Sequence, residues 1–118
     1  MNDDNVVAQK SKAFAIRIIN LYKYLSTEKH EVVLSKQILR SGTSIGANIR
    51  ESKRAQSTAD FMTKLTIALK ESDETCYWLE LLRETDYISE LEFKSIYNEA
   101  EELLKLIVAI TKTIKEKL

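Results

Sequence analysis

Gln37 to Leu82 reads QILRSGTSIGANIRESKRAQSTADFMTKLTIALKESDETCYWLELL, and this stretch decides the fold. Ile38, Gly42, Ile45 and Ile49 recur at spacings of four, three and four, which is one face of a helix. Both glycines of the chain, Gly42 and Gly46, sit in that helix among Ser41, Ser44 and Ala47. A glycine inside a helix costs roughly 1 kcal/mol relative to alanine, so the pair implies that another backbone comes close. Ser35 is the expected N-cap of this second helix. Ser52 to Thr58 breaks the pattern, and Ser57 with Asp60 three residues on gives a capping-box-like start to the next helix. Its stripe is Phe61, Leu65, Ala68, Ser72, Cys76 and Leu79, running on to about Glu84. On a 100° wheel Ile67, Trp78 and Leu81 fall on a second side.

Working outward, Phe14, Ile18, Leu21 and Leu25 repeat at helical spacing and place a first helix over about Val6 to Leu25. The polar run from Ser26 to Glu31 follows as a connection. After helix three, Thr85 to Ser89 is a short turn, and Ser89 with Glu92 is a second capping box. Helix four carries Ile96, Ala100, Leu103, Ile107, Ile110 and Ile114, broadened by Phe93, Tyr97, Leu104 and Val108. Its acids crowd the first half and its lysines the end, as the helix dipole favours. The chain has 118 residues, no proline, 44% hydrophobic and 31% charged residues, a size and composition suited to one soluble domain. Four helices joined by three short connections predict an all-α, antiparallel up-down-up-down four-helix bundle spanning residues 1–118.

Eighteen basic residues balance eighteen acidic ones, so no whole-chain field draws it to nucleic acid or to a membrane surface. The start MNDDNVVAQKSK has no apolar leader core, and no apolar run approaches the ~18 residues of a membrane span, which predicts a cytoplasmic protein. Cys76 stands alone in an apolar stripe and reads as core. His30, the one histidine, falls in a predicted loop, so the Glu-x-x-His pairs of di-metal bundles are missing. Glu71, Asp73 and Glu74 read as a solvated face rather than an acid-base site. The serines near Gly42 have no histidine or lysine base, and no glycine-rich phosphate loop follows a strand. These readings predict no enzyme activity, cofactor or metal.

Charge is uneven along the chain. Residues 32–58 hold Lys36, Arg40, Arg50, Lys53 and Arg54 against Glu51 alone, while 59–88 hold three bases and seven acids. On a wheel Lys36, Arg40, Arg50 and Arg54 lie within about 80° of one another, opposite Ile38, Ile45 and Ile49. The stripe is a candidate nucleic-acid contact, or else a solvated face neutralised by the acids of helix three. Arg40, Ser44, Asn48, Glu51 and Glu74 form a candidate buried polar network that fixes helix register. Ile67, Trp78, Leu81, Phe93 and Tyr97 form a candidate oligomer interface, because helices three and four are apolar on more than one side.

The run Gln37-Ile38-x-Arg40-Ser41-x-x-Ser44-Ile45-x-Ala47-Asn48-Ile49-x-Glu51, with Phe61, Leu65, Ala68, Ser72 and Glu74 after it, resembles the bacterial 23S rRNA intervening sequence proteins, also labelled S23 ribosomal proteins. The resemblance covers nearly the whole chain. It implies an antiparallel bundle that assembles as a ring-like homopentamer. The accessory proteins of diversity-generating retroelements, which bind nucleic acid and a reverse transcriptase, are related. An RNA, a DNA or a partner protein is thereby implied as the binding partner, with a protein-protein scaffold lacking nucleic-acid affinity as the alternative. Relatives commonly follow the Asn-Ile pair with Glu-Gly where this chain has Glu51-Ser52, so a different ending is expected for helix two.

Overall fold

A computed structural model describes residues 2–117. Four helices follow one another: α1 (Asn2–Thr27), α2 (Leu34–Ser52), α3 (Thr58–Glu84) and α4 (Glu90–Lys117). No strand occurs among the described residues. Each helix packs on its neighbours in sequence, and α1 with α4 closes the ring; the backbones of α1 and α3, like those of α2 and α4, stay farther apart across the diagonal. The particle measures 47 × 22 × 19 Å, long in the direction of its helices.

The apolar stripes meet in one core. Phe14, Ile18 and Leu25 of α1, Ile38, Ile45 and Ile49 of α2, Leu65, Leu79 and Leu82 of α3, and Ile96, Leu103 and Ile107 of α4 are all nearly or fully buried. Leu82 and Ile88 join this core beyond the predicted stripes, whereas Phe61 and Ile114 are only half-buried. α1 begins four residues earlier than expected, since the sequence before Val6 contains no proline or glycine to break the helix.

The start of α2 corrects the expected Ser35 cap. Ser35 lies inside the first turn, buried, with its hydroxyl donating to the Glu31 carbonyl at 2.7 Å. The cap is Glu31, whose carboxylate accepts from the backbone N–H groups of Val33, Leu34 and Ser35 at 3.2, 3.0 and 2.7 Å. An anion there satisfies three orphan donors at the positive end of the helix dipole. The other two starts follow the sequence: Ser57 accepts from the Asp60 N–H at 3.1 Å and Ser89 from the Glu92 N–H at 3.1 Å. His30 and Asp86 take positive φ (54° and 65°) and turn the chain in the first and third connections. At the end of α2 no left-handed residue is used; Lys53 stays right-handed, in keeping with serine rather than glycine after Glu51.

Gly42 and Gly46 face α1. A Cβ at Gly42 would lie 2.8 Å from both Cγ1 and Cγ2 of Ile18, and one at Gly46 would lie 3.3 Å from the Ser11 carbonyl oxygen. The small residues therefore set the distance between α1 and α2. None of the described helices is long and apolar enough to cross a membrane.

Candidate nucleic-acid interface

α2 turns its apolar positions inward, and so it turns Lys36, Arg40 and Arg50 outward; all three are exposed, as are Lys53 and Arg54 just past its end. They do not share one electrostatic fate. Arg40 reaches α3, with its guanidinium 3.4 Å from a Glu74 carboxylate oxygen and 3.9 Å from one of Glu71. Lys36, Arg50, Lys53 and Arg54 have no carboxylate within 4.0 Å among residues 5–117, whose side chains are described. Neutralisation by helix three thus holds for one cation of the five.

Beside these cations a groove of about 430 Å³ runs between α1 and α2. Lys12, Arg50 and Lys53 line it together with Ala8, Ser11, Ala15, Thr43, Gly46, Ala47 and the buried Ile49. Lys12 is exposed and also lacks a carboxylate partner among residues 5–117. Sequence reasoning passed it over because it belongs to another helix, and only the α1–α2 packing brings it to Arg50. The groove combines three cations with mostly small side chains, and its one large residue, Ile49, is buried, so an extended anion meets charge without a projecting obstacle.

The five residues expected to form one buried polar network divide instead. Arg40 and Glu74 do pair, and Glu74 also accepts from the Trp78 indole N–H at 3.0 Å. Ser44 donates to the Arg40 carbonyl at 2.6 Å and Asn48 to the Ser44 carbonyl at 2.9 Å, both along their own helix. Glu51 pairs with Lys64 at 3.1 Å and is largely exposed. The correction is physical: Arg40 and Glu51 sit on the outer side of α2, where water competes for them. The buried polar link between α2 and α3 is elsewhere, a 2.9 Å hydrogen bond between the hydroxyls of Thr75 and Ser41, both fully buried. A serine and a threonine beside the stripe positions Gly42 and Cys76 were its only signal in the sequence. Glu71 and Glu74 are likewise turned toward α2, with side chains 15% and 33% exposed, while Asp73 alone of the three acids faces water.

Residues 3–109 match the family model described as 23S rRNA-intervening sequence protein. The chain belongs to that family. A crystal structure of a protein with unknown function from the S23 ribosomal protein family of Bacteroides thetaiotaomicron VPI-5482 is 61% identical, covering 93% of this chain and 98% of that one, with a TM-score of 0.93. No curated protein matches.

In this 23S rRNA-intervening sequence protein the candidate interface residues Ile67, Trp78, Leu81, Phe93 and Tyr97 are half-buried. Trp78, Phe93 and Tyr97 pack against the core of their own chain, and the Tyr97 hydroxyl donates to Glu80 at 2.8 Å. That bond to a carboxylate raises the Tyr97 pKa above the usual tyrosine value. More exposed apolar side chains lie elsewhere: Ile16 on α1, Val33 before α2 and Leu91 on α4. Cys76 is buried, and burial, with Glu101, Asp73 and Glu80 nearby, pushes its pKa up to about 12, which keeps it a thiol. His30 is exposed in the first connection, and no cluster of metal-ligating side chains occurs among the described residues.

A larger groove, about 810 Å³, opens between α1 and the α3–α4 turn. Two of its cations are already engaged, Arg17 with Glu92 and Glu99 and Arg83 with Glu90. Its volume exceeds that of the α1–α2 groove, but the electrostatics favour the smaller one, where the positive charge is unspent.

Proposed function

We propose that this 23S rRNA-intervening sequence protein is a non-enzymatic, cytoplasmic accessory of a nucleic acid or ribonucleoprotein, holding phosphates along the α1–α2 groove and the outer face of α2. One observation carries the reading: four of the five candidate cations, and Lys12 beside them, have no carboxylate partner among residues 5–117, whose side chains are described. Unneutralised lysines and arginines on one face of a chain with zero net charge make a local anion site. Contacts of this kind position a backbone and carry no sequence information by themselves.

The reading takes the bundle as antiparallel, up-down-up-down. Supporting it, Lys10 meets Glu102 while Arg17 meets Glu92, and Glu51 meets Lys64 while Arg40 meets Glu74, so partners descend along one helix as they ascend along the next. It also takes the chain as a homo-oligomer, a pentamer by family resemblance. Repeating a weak phosphate site around a ring gives avidity of about 10² or more on one long nucleic acid.

Filter binding of a structured RNA at low and moderate salt tests the function, comparing the native chain with the double variant Arg50→Gln, Arg54→Gln. Retention that falls steeply with salt and falls further in the variant is expected. Equal absence of retention in both proteins would leave a protein-protein scaffold as the better account. Light scattering tests assembly: a mass several times 13.6 kDa is expected, and a clean monomer would refute the ring.

A further inference from the structure

We infer that the site prefers a base-paired double helix to a single strand, an inference that rests on the phosphate-binding reading above. The first observation is what the face lacks. Proteins that hold single strands stack bases on aromatic side chains, each stack being worth about 1–3 kcal/mol. Among the described residues the exposed aromatics are Tyr24 and Tyr77. Tyr24 lines the groove beside the α3–α4 turn, and Tyr77 lies on α3 with its ring 5.3 Å from that of Trp78. Neither is on α2 or lines the α1–α2 groove.

The second observation is spacing. Lys36 stands near one end of α2 and Arg50, Lys53 and Arg54 at the other, so about 20 Å of helix axis separates the two sets. Between them the outward positions are Thr43 and Ala47, small side chains, while Arg40 is held by Glu74. A rigid surface with charge at both ends and little in the middle fits a rigid partner that presents phosphates at fixed separations. A single strand must be ordered to bridge that distance, which costs entropy that no stacking returns. A duplex is already ordered, and it carries one charge per ~1.7 Å of axis against one per ~3.4 Å for each strand. With phosphates as the only target, the denser and stiffer polyanion binds better.

Fluorescence anisotropy of the full chain decides it, with labelled 24-base-pair duplexes of mixed sequence and unstructured single strands of the same length, in RNA and DNA versions. The duplex is expected to bind about tenfold tighter than the strand in at least one of the two chemistries, and the version that binds names the source of the phosphates. Five contacts from Lys12, Lys36, Arg50, Lys53 and Arg54 give a log–log salt slope of about −4 to −5 on duplex DNA, reduced by about 1 for each cation changed to glutamine. These positions are exposed, so the variants keep the fold and can be compared at equal concentration. Equal or tighter binding of the single strand overturns the inference and leaves phosphate binding standing. No binding of any probe at low salt overturns both.

Discussion

α1 shares one side with α2 and another with α4, and the two seams are built in opposite ways. Toward α2 the partner offers glycine: Gly42 leaves no room for a Cβ against Ile18, and Gly46 faces the backbone at Ser11. Toward α4 the approach is the loosest of the four sides, and long charged side chains bridge it, Lys10 to Glu102 at 3.0 Å and Arg17 to both Glu99 and Glu92. Small residues bring helices together and remove water, so the energy resides in packing. Long ion pairs keep helices apart and stay half-solvated, so their energy is screened. The same helix therefore has one side sensitive to single atoms and another that tolerates change.

Gly42→Leu should break the tight seam. The Ile18 branches that the new side chain meets are stiff, and overpacking should destabilise by about 1–3 kcal/mol or more, although leucine is the better helix former. Urea unfolding reads this as a lower midpoint with an unchanged slope. An unchanged midpoint would show that α1 can move away, and the contrast between the seams would then collapse.

Arg17→Gln probes the open seam with a smaller expected effect. Arg17 is 27% exposed and holds two carboxylates, Glu92 and Glu99, which would be left without their cation. A loss of about 1 kcal/mol is expected at low salt, shrinking at molar salt as screening removes the pair's advantage. A loss that persists at high salt would mean that the arginine stem packs, and that the seam is less electrostatic than its geometry implies. Lys10→Gln, at a pair exposed on both partners, should change stability by less than about 0.5 kcal/mol in the same assay.

The two seams were unequally legible in the sequence. Close approach at α2 was written locally, in two glycines on one helical turn, and the caps at Ser57 and Ser89 were legible for the same reason. The Arg17 bridges join residues far apart in the chain, and nothing near Arg17 signals Glu92 or Glu99. Glu31 was missed as the cap of α2 because it reaches forward from the connection while Ser35, a preferred capping type, stands nearby. The basic stripe was visible on a helical wheel. Which of its cations stays unpaired was not, because that depends on the register of α2 against α3: Arg40 falls opposite Glu74, and Arg50 has no acid of α3 within 4.0 Å. Lys12 entered the site only through the tight seam itself.

Gly46→Ala sets the smallest effect and the sharpest test of how far the tight seam extends. Alanine gains roughly 1 kcal/mol of helix propensity over glycine. Against this, its Cβ would stand 3.3 Å from the Ser11 carbonyl oxygen and 3.5 Å from the Ser11 hydroxyl, closer than a relaxed contact by a few tenths of an ångström. The obstacle is backbone of α1, so relief requires the helix to shift rather than a side chain to rotate. The two contributions are of similar size, and the expected net change in urea midpoint is close to zero. A clear gain in stability would confine the tight contact to Gly42 and Ile18 and let α1 yield toward its N-terminal half. A loss above about 1 kcal/mol would mean that the seam is rigid as far as Ser11, and that the groove walls holding Lys12 opposite Arg50 are rigid with it.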